Sequence, residues 1–154
     1  MNDEGSTIEV TYDLRGSGIS YKTAANLAVF PKNTETDVAR CAEILGWKLD
    51  QKFILKTNPN SNKKGTIKHP FPSPITVREA LEYFVDLRGA IMKKTLKDMA
   101  EHCSNETDKN RLKALADNKD EFVEEIEKNQ SGLLDLLEKY ESLRPSMEVF
   151  FQIT

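Results

Sequence analysis

Two histidines, two cysteines, one glycine-rich turn and one acidic run are the features of this 154-residue chain whose types could do chemistry. A nucleophile needs a base within reach, a metal needs clustered ligands, and a dinucleotide needs a glycine-rich turn that opens a helix. His69 and His102 lie in different segments, and neither has a Cys or carboxylate partner at motif spacing. His102 follows Glu101 on a predicted helix surface, where a solvated imidazole is expected. Cys41 and Cys103 belong to no metal-spaced cluster. Each falls on the apolar side of a helical pattern, so both read as reduced core thiols. "GSG" (Gly16 to Gly18) lacks the third glycine and the following helix of a dinucleotide fingerprint and reads as a turn. In "DNKDEFVEEIEK" (Asp117 to Lys128) carboxylates alternate with apolar residues at helical spacing, giving a solvated helix face with partial i, i+4 pairing. No residue is assigned a catalytic or metal-binding role.

Composition narrows the classes further. With 38% hydrophobic and 31% charged residues the chain can bury a core beneath a heavily solvated surface. A net charge of −3 and a pI near 5.5 argue against a general nucleic-acid binder, although Lys93, Lys94 and Lys97 fall close together. No apolar run approaches the roughly 20 residues that span a bilayer. "MNDEGSTIEV" is acidic and polar, unlike a secretory signal, so a cytoplasmic location is expected. The sequons at Asn105 and Asn129 then read as accidental.

Three stretches must position whatever function there is: 1–55, a polar loop at 56–68, and 69–154. In the first, Ile8, Val10 and Tyr12 alternate with polar residues as a half-buried strand does, and "ISY" resumes the alternation after the turn. "NLAVF" (Asn26 to Phe30), closed by Pro31, reads as a buried strand. The period then changes, because Val38, Cys41, Ala42 and Leu45 form a helical stripe between a Thr34 or Thr36 cap and Gly46. "KFILK" is a further short strand candidate. From Thr76 onward the pattern is helical. Thr76 and Glu79 have capping-box spacing, and a helix bearing Val77, Ala80, Leu81 and Phe84 is expected to run to Gly89. A second stripe (Met92, Leu96, Met99, Cys103) is broken by "SNETDKN". Helices on Leu112–Ala116, Phe122–Ile126 and Leu133–Tyr140 follow, with a last one capped by Ser146. The fold class expected is α+β, with the classes segregated along the chain.

Pro70, Pro72 and Pro74 stand just before the capped helix. Each fixes φ and extends the residue before it, so "HPFPSP" is a polyproline-like strut. Phe71 can pin that strut to a core. A rigid hinge that fixes the direction of a helical subdomain is the favoured reading over a ligand for a proline-binding domain, which would need exposure.

"HPFPSPITVREALEYFVDL" (His69 to Leu87) resembles the stretch that opens the helical connecting domain of the diflavin reductases. That family includes NADPH–cytochrome reductases, sulfite reductase flavoproteins and nitric oxide synthase reductases. "YDLRGSGISYKTAANLAVFPKN" is similar to the first strands of the family's FAD-binding barrel, and "ILGWKLDQKFIL" and "LLDLLEKYESLRPSMEVFFQI" resemble later segments in the right order. The resemblance implies a mainly helical connecting subdomain joined to a few antiparallel strands of an incomplete FAD-binding β-barrel. It implies Asn26 as a contact near the FAD adenine. The family's usual Gly-Asp just before that position is Ala24-Ala25 here. A position often Arg near the FAD pyrophosphate is Gln130 and carries no role.

By the same resemblance, the parent would move electrons from NADPH through FAD and FMN to a haem or other redox acceptor. This chain would be the piece that holds the flavin domains face to face, binding no flavin by itself. Its partners would be the FMN-binding and NADPH-binding domains of the same chain and the acceptor, with no nucleic acid and no membrane contact. Two alternatives stay open: the same module in a larger fusion such as a pyruvate:NADP⁺ oxidoreductase, or a non-catalytic helical scaffold. Unpaired strand edges would leave Ile8 to Phe30 either joined to another copy or poorly ordered.

Overall fold

Residues 7–56 and 71–153 are described by the computed structural model, and from Thr34 onward they form an α+β body. The first helix, α1 (Glu35–Leu45), starts where Thr34 Oγ1 accepts from the Asp37 N–H at 3.1 Å. It stops at Gly46, whose φ of 69° opens the left-handed turn. There the Gly46 N–H donates to Glu43 O and the Trp47 N–H to Ala42 O, the paired bonds of a Schellman ending. That turn delivers Trp47 to an aromatic cluster described below.

Next comes β1 (Lys52–Phe53), paired antiparallel with β2 (Ile75–Thr76) in the register Lys52↔Thr76 and Phe53↔Ile75. Thr76 ends this strand and caps α2 (Val77–Tyr83): the Glu79 N–H donates to Thr76 Oγ1 and the Thr76 N–H to Glu79 Oε2. The expected capping box is present. However, α2 ends near Phe84 and does not reach Gly89. Asp86 Oδ1 accepts from the Gly89 N–H at 2.7 Å, a local turn that competes with helix. Leu87 O meanwhile accepts from the distant Leu134 N–H at 3.0 Å.

Helices complete the body: α3 (Lys93–Ala100), α4 (Glu106–Asp117), α5 (Lys119–Phe122) with a π-helical turn at Val123–Glu127, α6 (Leu133–Lys139) and α7 (Met147–Ile153). The expected break at "SNETDKN" is shorter than the pattern implied. Asn105 accepts from the Asp108 N–H, so Glu106 onward is already the first turn of α4. Ser146 caps α7 as expected, with its hydroxyl accepting from the Val149 N–H. The acidic run pairs outward: Glu124 with Lys128, and Glu121 and Glu125 with Arg111.

One continuous core joins these helices, holding Val38, Cys41, Leu81, Leu96, Met99, Leu112, Leu137 and Phe150 out of solvent. The strands expected before Pro31 do not form. Residues 7–33 run without strand pairing, and the described sheet is the two-stranded β1–β2 ribbon alone. A strand needs a neighbouring strand for its backbone groups, and residues 7–31 have none among those described. The polar loop, apart from Lys56, lies outside the described residues, as do His69 and Pro70.

Candidate functional site

Among the described residues, the side chains with intrinsic reactivity are not assembled for chemistry. Cys41 is fully buried, and burial pushes its thiol up to about 12, so no thiolate forms near neutrality. Cys103 is half-buried rather than a core residue, and desolvation raises its thiol as well. His102 sits in the turn after α3, partly covered, with its carbonyl accepting from the Arg144 N–H. Among the described residues no group of three or more His, Cys, Asp and Glu is placed to hold a metal.

What the geometry does provide is a set of rigid joints. The first is the proline strut. Phe71 is 5% exposed, and its ring lies 5.4 Å from Phe151, 5.5 Å from Phe84 and 6.0 Å from Phe53. Trp47 joins the same cluster, edge-on to Phe150 at 5.2 Å and stacked on Phe151 at 5.9 Å. Offset and edge-to-face ring contacts of this kind add to area burial. Ser73, between two prolines, accepts from the Leu55 N–H at 2.9 Å and ties the strut to the end of β1. The strut is therefore anchored at its aromatic and hydroxyl residues and leads without slack into the capped start of α2.

The second joint is Arg88, in the turn after α2. Its Nε and Nη2 donate to Asp37 Oδ1 at 3.1 and 2.6 Å, and its Nη1 donates to Asp135 Oδ1 at 2.5 Å. Asp37 belongs to the first turn of α1, and Asp135 to the first turn of α6, where Asp135 Oδ2 accepts from the Gly132 N–H. The Arg88 guanidinium holds the Asp37 carboxyl below the usual carboxylate range. Gly132 is required there, because a Cβ would lie 2.6 Å from Arg88 Cα. The sequence held no local sign of this node, whose partners are 51 and 47 positions apart.

The third joint holds the N-terminal segment. The Asn33 N–H donates to Glu82 O, while Asn33 Nδ2 donates to Leu81 O and Val85 O. Lys32 Nζ donates to Glu82 Oε1 at 3.0 Å and lies 4.7 Å from the Tyr83 ring centroid.

Asn26, the residue expected near the FAD adenine, stands exposed, and no described residue makes a hydrogen bond, ion pair or ring contact with it. Gln130 is also exposed, on a left-handed φ of 50°. Ala24, where the family's glycine would stand, also takes a left-handed φ, at 65°, with the Ala25 N–H donating to Lys22 O. A cleft between α1 and α2, lined by Glu35, Val38, Arg78 and Glu82, holds about 210 Å³. That is below the ~300 Å³ of ordinary small-molecule pockets. Its two carboxylates would repel a pyrophosphate. On size and on the charge of Glu35 and Glu82, this cleft does not fit a flavin pyrophosphate, although Arg78 beside it pairs with Glu35.

A family model described as "FAD binding domain" matches residues 2–154. The chain is similar to the NADPH–cytochrome P450 reductase of Musca domestica, 29% identical over 148 residues, which is 93% of this chain and 22% of the relative. It is likewise similar to the NADPH–cytochrome P450 reductases of Mus musculus and Bos taurus, each 30% identical over 149 residues, covering 94% of this chain and 22% of the relative. The chain thus spans about a fifth of the length of these curated relatives. The chain therefore belongs to the FAD-binding-domain family of the diflavin reductases.

Proposed function

We propose that this chain works as the connecting segment of a longer, cytoplasmic NADPH-dependent diflavin oxidoreductase. It sets the relative placement of an FAD domain and an FMN domain, so that electrons entering from NADPH pass between the flavins to a haem or other redox acceptor. Its partners are the flavin- and NADPH-binding domains of the same polypeptide. The chain supplies geometry to the reaction, and the flavin chemistry belongs to the parent.

The observation that carries this reading is the anchored strut. Phe71 is buried among Phe53, Phe84 and Phe151, and Ser73 is tied to Leu55, so the start of α2 has one direction only. Transfer between two bound groups depends steeply on their placement, and a shift of about 1 Å can cost orders of magnitude in rate. A rigid body between two cofactor domains is what such a reaction needs.

The test uses Phe71→Ala in the longer reductase that carries this segment, followed by stopped-flow absorbance. Hydride transfer from NADPH to FAD should stay within about twofold, while electron transfer from FAD to FMN slows about tenfold. Equal loss of both steps, or loss of neither, would remove the positioning role. A longer chain without NADPH-dependent flavin reduction would favour the scaffold alternative.

A further inference from the structure

We infer that Asn33 is a positioning residue: it locks the direction in which the N-terminal segment leaves the helical body. This deepens the connecting role proposed above and rests on that reading for its functional consequence.

A helix leaves its last carbonyls without intrahelical partners. In α2, Leu81 O and Glu82 O are such groups, and Val85 O lies just beyond the helix end. Asn33 serves all three, donating its backbone N–H to Glu82 O at 2.9 Å and its side-chain amide to Leu81 O at 2.6 Å and to Val85 O. Lys32 adds a cation at the same helix end, paired with Glu82 and lying over Tyr83. A positive charge there also complements the helix dipole.

The next residue, Thr34, caps the start of α1. Two helix ends therefore grip three consecutive residues, Lys32 to Thr34. Pro31 extends the stiffness backward, because it fixes its own φ and holds Phe30 extended. Among the described residues, no other hydrogen bond, ion pair or ring contact ties residues 7–31 to the body. The direction in which residues 7–30 leave the body is set at this joint.

The chemistry singles out asparagine. Among side chains of this length, the asparagine amide is the one that offers two N–H donors from a single nitrogen. An aspartate of the same shape would donate nothing and would face those oxygens and Glu82 with a negative charge. Asn33→Asp is thus a near-isosteric variant that removes the two side-chain bonds, to Leu81 O and Val85 O, without opening a cavity.

The first measurement uses the ¹⁵N-labelled chain and residual dipolar couplings. In the unaltered chain the amides of Lys32 and Asn33 should fit the alignment of α1 and α2. In Asn33→Asp they should leave that fit while the α1 and α2 couplings stay in place. Couplings that never share the alignment, or that persist in the variant, would overturn the inference.

The second measurement places Asn33→Asp in the longer reductase, where electron transfer from FAD to FMN should slow about tenfold with hydride transfer from NADPH unchanged. If Phe71→Ala slows that step and Asn33→Asp does not, the inference about Asn33 fails alone. If neither variant slows it, the connecting role itself fails. A residue that merely stabilised the fold would lower the midpoint of unfolding without separating these two rates.

Discussion

Between residues 8 and 30 the large apolar side chains, apart from the half-buried Leu14, stand 53% to 88% exposed, from Tyr12 to Phe30, whereas Val38, Cys41, Leu81, Leu137 and Phe150 in the helical body are at 1% or less. Both regions are patterned at a regular period, so the difference does not lie in hydrophobicity. A helix satisfies its backbone within itself and needs only another stripe to cover its apolar face. A strand needs a hydrogen-bonding neighbour as well as a covering face. The body contains its own partners, and the N-terminal segment does not have them among the described residues.

The largest effect should therefore come from one truncation made in each region. Phe150 is fully buried against Trp47 and Phe151, so Phe150→Ala should cost about 3–5 kcal/mol in urea unfolding. Phe30→Ala should stay within about 0.5 kcal/mol, the range of an exposed substitution. A loss above about 1 kcal/mol at Phe30 would mean that the segment packs on the body, and the contrast would collapse.

The same contrast explains what was legible beforehand. Caps and stripes act within one or two turns, so Thr34, Gly46, the Thr76–Glu79 box and Ser146 could all be read locally. Even within the helices, boundaries escaped where a competing bond intervened. Asp86 closes a turn on Gly89 and shortens α2, and Asn105 starts α4 earlier than the polar run suggested. The π-helical turn at Val123–Glu127 left no mark on the apolar period. Alternation at Ile8–Tyr12 gave the period of a strand but could not supply its neighbour. The joints at Arg88 and Asn33 were invisible for another reason, since their partners lie some fifty positions away. Asn33 directly before a capping threonine is the one local hint, and it points only to a helix start.

Arg88 offers a middle-sized test inside the body. It is about half exposed, but the Asp37 side chain it meets is only 15% exposed. Arg88→Met should cost about 1–2 kcal/mol at pH 7, more than an ordinary surface pair. The pH dependence has a definite sign. The folded-state pKa of Asp37 is depressed, so the stability it contributes is present above the unfolded value of about 3.9 and is lost as pH falls through the folded value. Arg88→Met has already lost that contribution at pH 7. The gap between the two proteins should therefore narrow below about pH 4. Glu79, Glu101 and Glu125 are also held below their usual range, but they are common to both proteins and cancel in the difference. A gap constant from pH 7 to pH 3 would show that Arg88 acts through its packing alone.

The smallest effect is the sharpest comparison, because it uses the same backbone geometry twice. Gly46 has φ 69° at the end of α1, and Ala24 has φ 65° in the turn of the N-terminal segment. A left-handed φ disfavours any side chain with a Cβ by about 1 kcal/mol relative to glycine. Gly46 is part of the cooperative body, since its turn seats Trp47 against Phe150 and Phe151. Gly46→Ala should therefore lower the unfolding free energy by about 1 kcal/mol. Ala24→Gly relieves the same kind of strain, yet no buried neighbour registers it, so the global free energy should move by no more than a few tenths of a kcal/mol. Its effect should instead be local, visible as a change in the amide shifts of Lys22 to Asn26. If Ala24→Gly raised the unfolding free energy as much as Gly46→Ala lowers it, residues 7–31 would unfold together with the helices. The segment would then belong to the body after all.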